Sequence, residues 1–143
     1  MPIFVLHGVN LDTLGRRDPA HYGVITLPEL EGRIREWAEE LGLEVDCRQT
    51  NFEGAYVEWL HEALDGADGV IVNPGAWTHY SYAIHDALEL LEVPVVEVHL
   101  SDVQAREEFR RVSVVRDLAA LTVSGKGPDG YREALEFLRA RLK

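Results

Sequence analysis

The chain has 143 residues, 46% of them hydrophobic, which suits one compact domain over residues 1–143. A domain of that size buries enough surface to fold without a metal or disulfide staple. Its 14 Lys and Arg against 25 Asp and Glu leave a net charge of −11. That excludes a protein that coats DNA or RNA and argues against an anionic membrane surface as partner.

The chain opens on a strand-like run, Ile3–His7, with no basic segment and apolar stretch of a signal peptide ahead of it. From Gly8 to Ile25 no period is visible, and Gly15, Pro19 and Gly23 interrupt the segment. Connections from strand to helix ordinarily run about 2–6 residues, so a loop this long is usually functional or disordered. A helix follows, with Leu27, Leu30, Ile34, Trp37 and Leu41 at spacings of three and four. Thr26 and Glu29 form its capping box, and Gly42 stops it. Leu43–Arg48 reads as the second strand. Val57, Leu60 and Leu64 mark a second helix that ends at Gly66. Gly69–Asn73 is the third strand, followed by a helix carrying Ile84, Ala87, Leu88 and Leu91 that stops before Pro94. Val95–His99 is the fourth strand and Leu118–Ser124 the fifth. A last helix carries Tyr131, Ala134, Leu135, Leu138 and Leu142, with Arg139, Arg141 and Lys143 where cations suit its dipole.

Strands alternating with helices imply an α/β fold, an open parallel sheet with helices on both faces. No apolar run approaches the roughly 18 residues of a membrane span. Cys47 is the single cysteine, so no internal disulfide forms, and a reducing cytoplasm is expected.

In open α/β sheets ligands bind beyond the carboxyl ends of the strands. Those ends are His7-Gly8-Val9-Asn10-Leu11, Asn73-Pro74-Gly75-Ala76-Trp77-Thr78-His79 and Glu97-Val98-His99-Leu100-Ser101. All three offer hydrogen-bonding groups. Glu97 and His99 share a strand face, because side chains at i and i+2 point the same way. A carboxylate beside an imidazole favours the imidazolium and fixes the tautomer, which is the make-up of a general acid at neutral pH. The same pair also serves as a structural contact between helix and sheet.

The long loop holds Arg17 and Tyr22. A free tyrosine ionises near pH 10, too high for a base at pH 7, and a nearby guanidinium favours the phenolate. Those residues equally fit a ring packed under the loop with the arginine paired to Asp18. His79 lies near a helix start, where neutral imidazole can bind a substrate and Thr78 can cap. Arg106 and Arg110, four apart, are expected on one helical face; in so acidic a chain, cations beside a crevice point to an anionic substrate. They also suit pairing with Glu107 and Glu108 on a solvated helix.

Several chemistries lack their residues. Phosphate-cradling glycine motifs do not follow the first strand, and there is no G-x-S-x-G elbow. No two histidines stand four apart, so a metal is not expected. Lys126 is the one lysine besides Lys143, and it reads as a turn residue rather than an imine former.

Four stretches, HGVNLDTLGRRDPAHYG, QTNFEGAYVEWLHEA, NPGAWTHYSYAIHDAL and VEVHLSDVQAREEFR, resemble the type II 3-dehydroquinate dehydratases over nearly the whole chain. The resemblance implies a flavodoxin-like sheet of order 2-1-3-4-5. It implies reversible anti elimination of water from 3-dehydroquinate through an enolate, giving 3-dehydroshikimate, without metal or Schiff base. By position, Tyr22 matches the base that takes the C2 proton and Arg17 the residue that holds it as phenolate. Asn10 matches the residue binding a water at the enolate oxygen. His99 matches the acid that protonates the leaving hydroxyl, with Glu97 orienting it. Asn73, His79 and Arg110 match residues that grip ring hydroxyls, and Gly75 and Ala76 lie in the same substrate-binding stretch. Leu100 and Ser101 match the pair that holds the carboxylate. Asp86 matches a carboxylate that reaches a neighbouring subunit's site, since the family assembles as trimers stacked into a dodecamer. Departures are His7 for a usual asparagine, Val9 for proline, His85 for arginine and Arg111-Val112 for two histidines.

Two other readings compete. A receiver module needs clustered acids after the first strand, and a flavin module needs a hydroxyl-rich phosphate loop there; Val9-Asn10 supplies neither. A paralogue that keeps the fold without the activity is the third possibility.

Overall fold

The computed structural model describes residues 1–142. Five strands, β1 (Ile3–His7), β2 (Val45–Gln49), β3 (Gly69–Asn73), β4 (Val95–His99) and β5 (Leu121–Ser124), form one sheet in the order 2-1-3-4-5. Every adjacent pair is parallel. The central strands β1, β3 and β4 are buried at every position, as their continuous apolar runs require.

The edge strands differ from the sequence reading. β2 starts at Val45 rather than Leu43, because the Leu43 N–H still donates to Ala38 at the end of the preceding helix. It also runs on to Gln49. Each of its residues is half-buried. β5 starts at Leu121 rather than Leu118, because Arg116–Leu118 turns as a 3-10 helix and Ala119 and Ala120 bring little strand preference.

Helices α2 (Leu27–Glu40) and α6 (Asp129–Arg141) cover one face of the sheet; α3 (Glu53–Gly66) and α4 (Tyr82–Glu89) cover the other. The Thr26 hydroxyl accepts from the Glu29 N–H at the α2 start, the cap its sequence announced. Such a cap stabilises by about 1 kcal/mol. Ile3, Val5, Ile71, Val96, Val98 and Val123 pack against Leu30, Ile34, Leu135 and Leu138. Phe4, Leu6, Val70, Val72 and Val95 pack against Tyr56, Leu60, Ile84 and Leu88. Each fully buried aliphatic side chain stabilises by about 1.5–3 kcal/mol. Leu64, expected in the core, is exposed, and Tyr56 and Ala63 take the inward positions of α3 instead.

The long connection after β1 is compact rather than formless. It holds a 3-10 turn at Leu11–Thr13 and one turn of helix, α1 (Pro19–Tyr22), capped by the Asp18 carboxylate. Leu14 and Ile25 anchor its ends in the core, and no residue between them is buried. Arg106 and Arg110 do not share a helix. Arg106 is extended between a 3-10 turn at Val103–Ala105 and the short α5 (Glu108–Arg111). Thr78 Oγ1 caps no helix among the described residues; Ser81 caps α4, accepting from the Ile84 N–H.

Candidate active site

The carboxyl ends of β1, β3 and β4 meet in one cleft of about 600 Å³ counted out to its open mouth. Two glycines let the first two loops close on each other. A Cβ on Gly8 would stand 2.2 Å from the Pro74 carbonyl oxygen, and one on Gly75, at φ +67°, would stand 2.6 Å from that of Val9. Only glycine suits both places. Asn10 adopts a left-handed φ of 69°, which asparagine tolerates. Its N–H donates to Asn51 Oδ1 at 2.8 Å, and its carbonyl accepts from the Thr13 hydroxyl at 2.6 Å. The turn is therefore held in place with Val9 before it.

Tyr22 enters the cleft from α1. Its hydroxyl accepts from Arg17 Nη2 at 2.9 Å and from Arg106 Nη1 at 2.5 Å. The Arg17 guanidinium also lies 3.9 Å from the ring centroid. Arg17 thus serves Tyr22 and not Asp18, which caps α1 and faces His21.

His99 and Glu97 project from the same face of β4, with His99 Nε2 2.5 Å from Glu97 Oε2. Glu97 is fully buried behind the cleft, while His99 lines it. Burial works against the Glu97 charge. Hydrogen bonds from His99 and Ser113, with the charges of His99 and Arg116, outweigh it and hold the carboxyl below its ordinary range.

His79 Nδ1 donates to the Val112 carbonyl at 2.6 Å, and Nε2 has no hydrogen-bond partner among the described residues. Burial, joined by the charges of His99 and Arg110, pushes its pKa below the usual value against the pull of the Val112 bond. The ring is therefore neutral near pH 7. Asn73 is oriented from both sides. Its Oδ1 accepts from the Gly75 N–H at 3.2 Å, and its Nδ2 donates to the buried Tyr131 hydroxyl at 3.4 Å. The carbonyls of Leu100 and Ser101 accept from Gly127 and Gly125, so the glycine turn after β5 braces the β4 end.

Of the candidate residues, Tyr22, Arg17, Asn10, His99, Asn73, Gly75, Ala76, His79, Leu100, Ser101 and Arg110 line this cleft. Glu97 stands directly behind it. Asp86 does not reach it; it is exposed on α4, beside His85 at 3.1 Å. Lys126 is also absent from the lining and pairs with Glu133.

The dehydroquinase class II family profile matches residues 1–139. The chain belongs to that family. Among class II dehydroquinases and their relatives, a 3-dehydroquinate dehydratase from Syntrophotalea carbinolica is 54% identical over 134 residues, 93% of this chain and 90% of that one. One from Salinispora tropica is 50% identical over the full length of both. The crystal structure of a type II dehydroquinase from Propionibacterium acnes superposes with a TM-score of 0.94 at 47% identity, covering 97% of this chain and 96% of that one.

In this class II dehydroquinase, Arg106 lines the cleft against Tyr22, a placement that its spacing from Arg110 did not indicate. It was read as part of a cationic face, whereas it reaches Tyr22 across 84 residues of chain. Asn51, which props the Asn10 turn, gave no signal beyond its place after β2.

His7 is the departure with a physical consequence. It is wholly buried, and neither ring nitrogen has a hydrogen-bond partner among the described residues. The closest Glu31 oxygen is 3.9 Å away, too far for a hydrogen bond. Burial, aided by the Arg35 charge, pushes its pKa down to about 4. The unfolded chain takes up that proton near pH 6.5, so it binds more protons than the native state between those values. Stability from this site is therefore intact above pH 6.5 and falls as pH drops toward 4, by about 3 kcal/mol in all. His7→Asn is expected to flatten that fall. Urea unfolding at pH 7 and about pH 5 checks it; an equal drop in both proteins rules His7 out as the cause.

Proposed function

We propose that this chain is a 3-dehydroquinate dehydratase, a hydro-lyase that removes water from 3-dehydroquinate by anti elimination through an enolate. In this reading Tyr22, as phenolate, takes the C2 proton, and Arg17 and Arg106 stabilise its charge. Asn10 holds a water against the enolate oxygen. His99 gives a proton to the leaving hydroxyl, which departs as water, and Glu97 balances the imidazolium. Asn73, His79 and Arg110 grip the ring hydroxyls beside Gly75 and Ala76. Leu100 and Ser101 hold the carboxylate. The reaction belongs to the shikimate route toward chorismate and the aromatic amino acids, in the cytoplasm.

The observation that carries this reading is a phenol oxygen accepting from two guanidinium groups in the same cleft as a buried carboxylate–imidazole pair. A base and an acid so placed serve elimination of water beside a carbonyl. The test is to add 3-dehydroquinate and follow the enone absorbance of 3-dehydroshikimate. Turnover supports the reading; no absorbance rise from folded protein refutes it.

The same reading extends to assembly as trimers stacked into a dodecamer. Asp86 faces outward, and Tyr80 and Tyr82 are 60% and 69% exposed near the start of α4. Exposed aromatics are enriched at interfaces. Trp77, the third aromatic of that stretch, is instead core, edge-on to Tyr56. Sedimentation is expected to give the dodecamer, and a monomer alone would count against it.

A further inference from the structure

Ser113 lies in the segment between α5 and β5, outside the cleft lining, yet it meets the buried carboxylate behind His99. Its Oγ is 3.0 Å from Glu97 Oε2, the oxygen that also faces His99 Nε2. A serine hydroxyl has one proton and two lone pairs. The Val115 and Arg116 N–H groups donate to the Ser113 oxygen at 3.3 and 3.1 Å and so occupy both lone pairs. The one remaining proton must then point at Glu97. Thr122 Oγ1 adds a longer contact, 3.4 Å from Oε1. An oxygen approached by two donors is best satisfied as a carboxylate, which puts the proton of the short Glu97–His99 contact on the ring.

We propose that Ser113 is a positioning residue for the acid: by donating to Glu97 it keeps that carboxylate ionised and holds a proton on His99 Nε2, so that Nδ1 is the nitrogen that exchanges a proton with the substrate. The proposal rests on the dehydratase reading for its chemistry. During elimination the proton on Nδ1 passes to the leaving hydroxyl as the carbon–oxygen bond breaks. Water departs, and a neutral ring is left that keeps its Nε2 proton, hydrogen-bonded to Glu97.

The titratable and charged groups that face Glu97 come from several elements. They are His99 on β4, Arg116 in the turn before β5, His79 in the turn after β3 and Tyr56 on α3. None of the last three is hydrogen-bonded to Glu97 among the described residues. Ser113 is therefore the neutral donor whose loss frees Oε2 to take up a proton.

Ser113→Ala is expected to lower kcat by about tenfold, at the low end for a hydrogen bond to a charged group, with KM within about twofold. The acid limb of the kcat profile should move up by about one pH unit. Ser113→Thr keeps the hydroxyl and should restore both. Nitrogen-15 NMR of the His99 ring reads the tautomer without any substrate, and the neutral ring of the unsubstituted protein should carry its proton on Nε2. A neutral ring that carries its proton on Nδ1 instead overturns the proposal. So does a Ser113→Ala variant that loses only KM, keeps its acid limb, or is not rescued by threonine. If no turnover is found on 3-dehydroquinate at all, the dehydratase reading fails, while the ring tautomer still decides whether Ser113 sets the proton's place.

Discussion

Tyr22→Phe is expected to lower turnover by about 10²–10⁴-fold while leaving KM nearly unchanged. The ring stays, so its packing against the hydrophobic core and its contact with Arg17 survive. Only the oxygen that accepts from Arg17 and Arg106 is lost, and with it the base. Arg17→Ala should cost less, because Arg106 still donates to the phenol. Replacing both arginines should cost more than either alone, and part of that loss should return at high pH, where a phenol ionises unaided. The loop has its own share in the outcome. Between Leu14 and Ile25 no side chain is buried, so the contact between Tyr22 and Arg106 ties that segment to the body. A segment with so few buried contacts opens at low free-energy cost, and its closure over substrate should weaken with the tie. Steady-state kcat and KM for the variants decide the matter. Near-normal turnover in Tyr22→Phe would move the base elsewhere, and His21, with its ring centroid 6.3 Å from that of Tyr22, is the next candidate.

The central sheet was legible because its physics is local. β1, β3 and β4 are covered on both faces, so they read as unbroken apolar runs with sharp ends. The ends of these strands lie along the cleft, so His99 and Asn73 at the ends of β4 and β3, and Asn10 just past β1, could be picked out by position alone. The edges were less legible because one face or end of each is solvated or still tied to a helix. The Leu43 N–H bond to Ala38 and the 3-10 turn at Arg116–Leu118 leave no hydrophobic period to read. The arginines show the larger limit. A spacing of four suggested a shared helical face for Arg106 and Arg110, but the extended backbone at Arg106 breaks the helix and turns that side chain to Tyr22. Contacts made across long stretches of chain leave no periodic trace. The roles of Arg106, Asn51 and Ser113 all depend on such contacts.

His99→Ala is expected to remove most of the turnover, about 10²–10⁴-fold, and Glu97→Gln to remove less, about ten- to hundredfold. The imidazole carries the proton that the leaving hydroxyl needs, and alanine offers none. With Glu97→Gln the ring remains, and the amide oxygen can still accept from His99 Nε2 and the Ser113 hydroxyl, so geometry is largely kept. What disappears is the negative charge that balances the imidazolium. Because the Glu97 carboxyl is held below its ordinary range, wild-type activity should persist well into mild acid. In Glu97→Gln the ring remains but the charge that stabilises the imidazolium is gone, whereas His99→Ala leaves no group to give the proton. It should also lose some stability, because a buried carboxylate is left with only Ser113 and Thr122 as donors. Circular dichroism and urea unfolding would separate that loss from a failure to fold. If Glu97→Gln were the more damaging change across the pH range, Glu97 would be the acid and His99 its support, and the direction of the proton in this pair would be reversed.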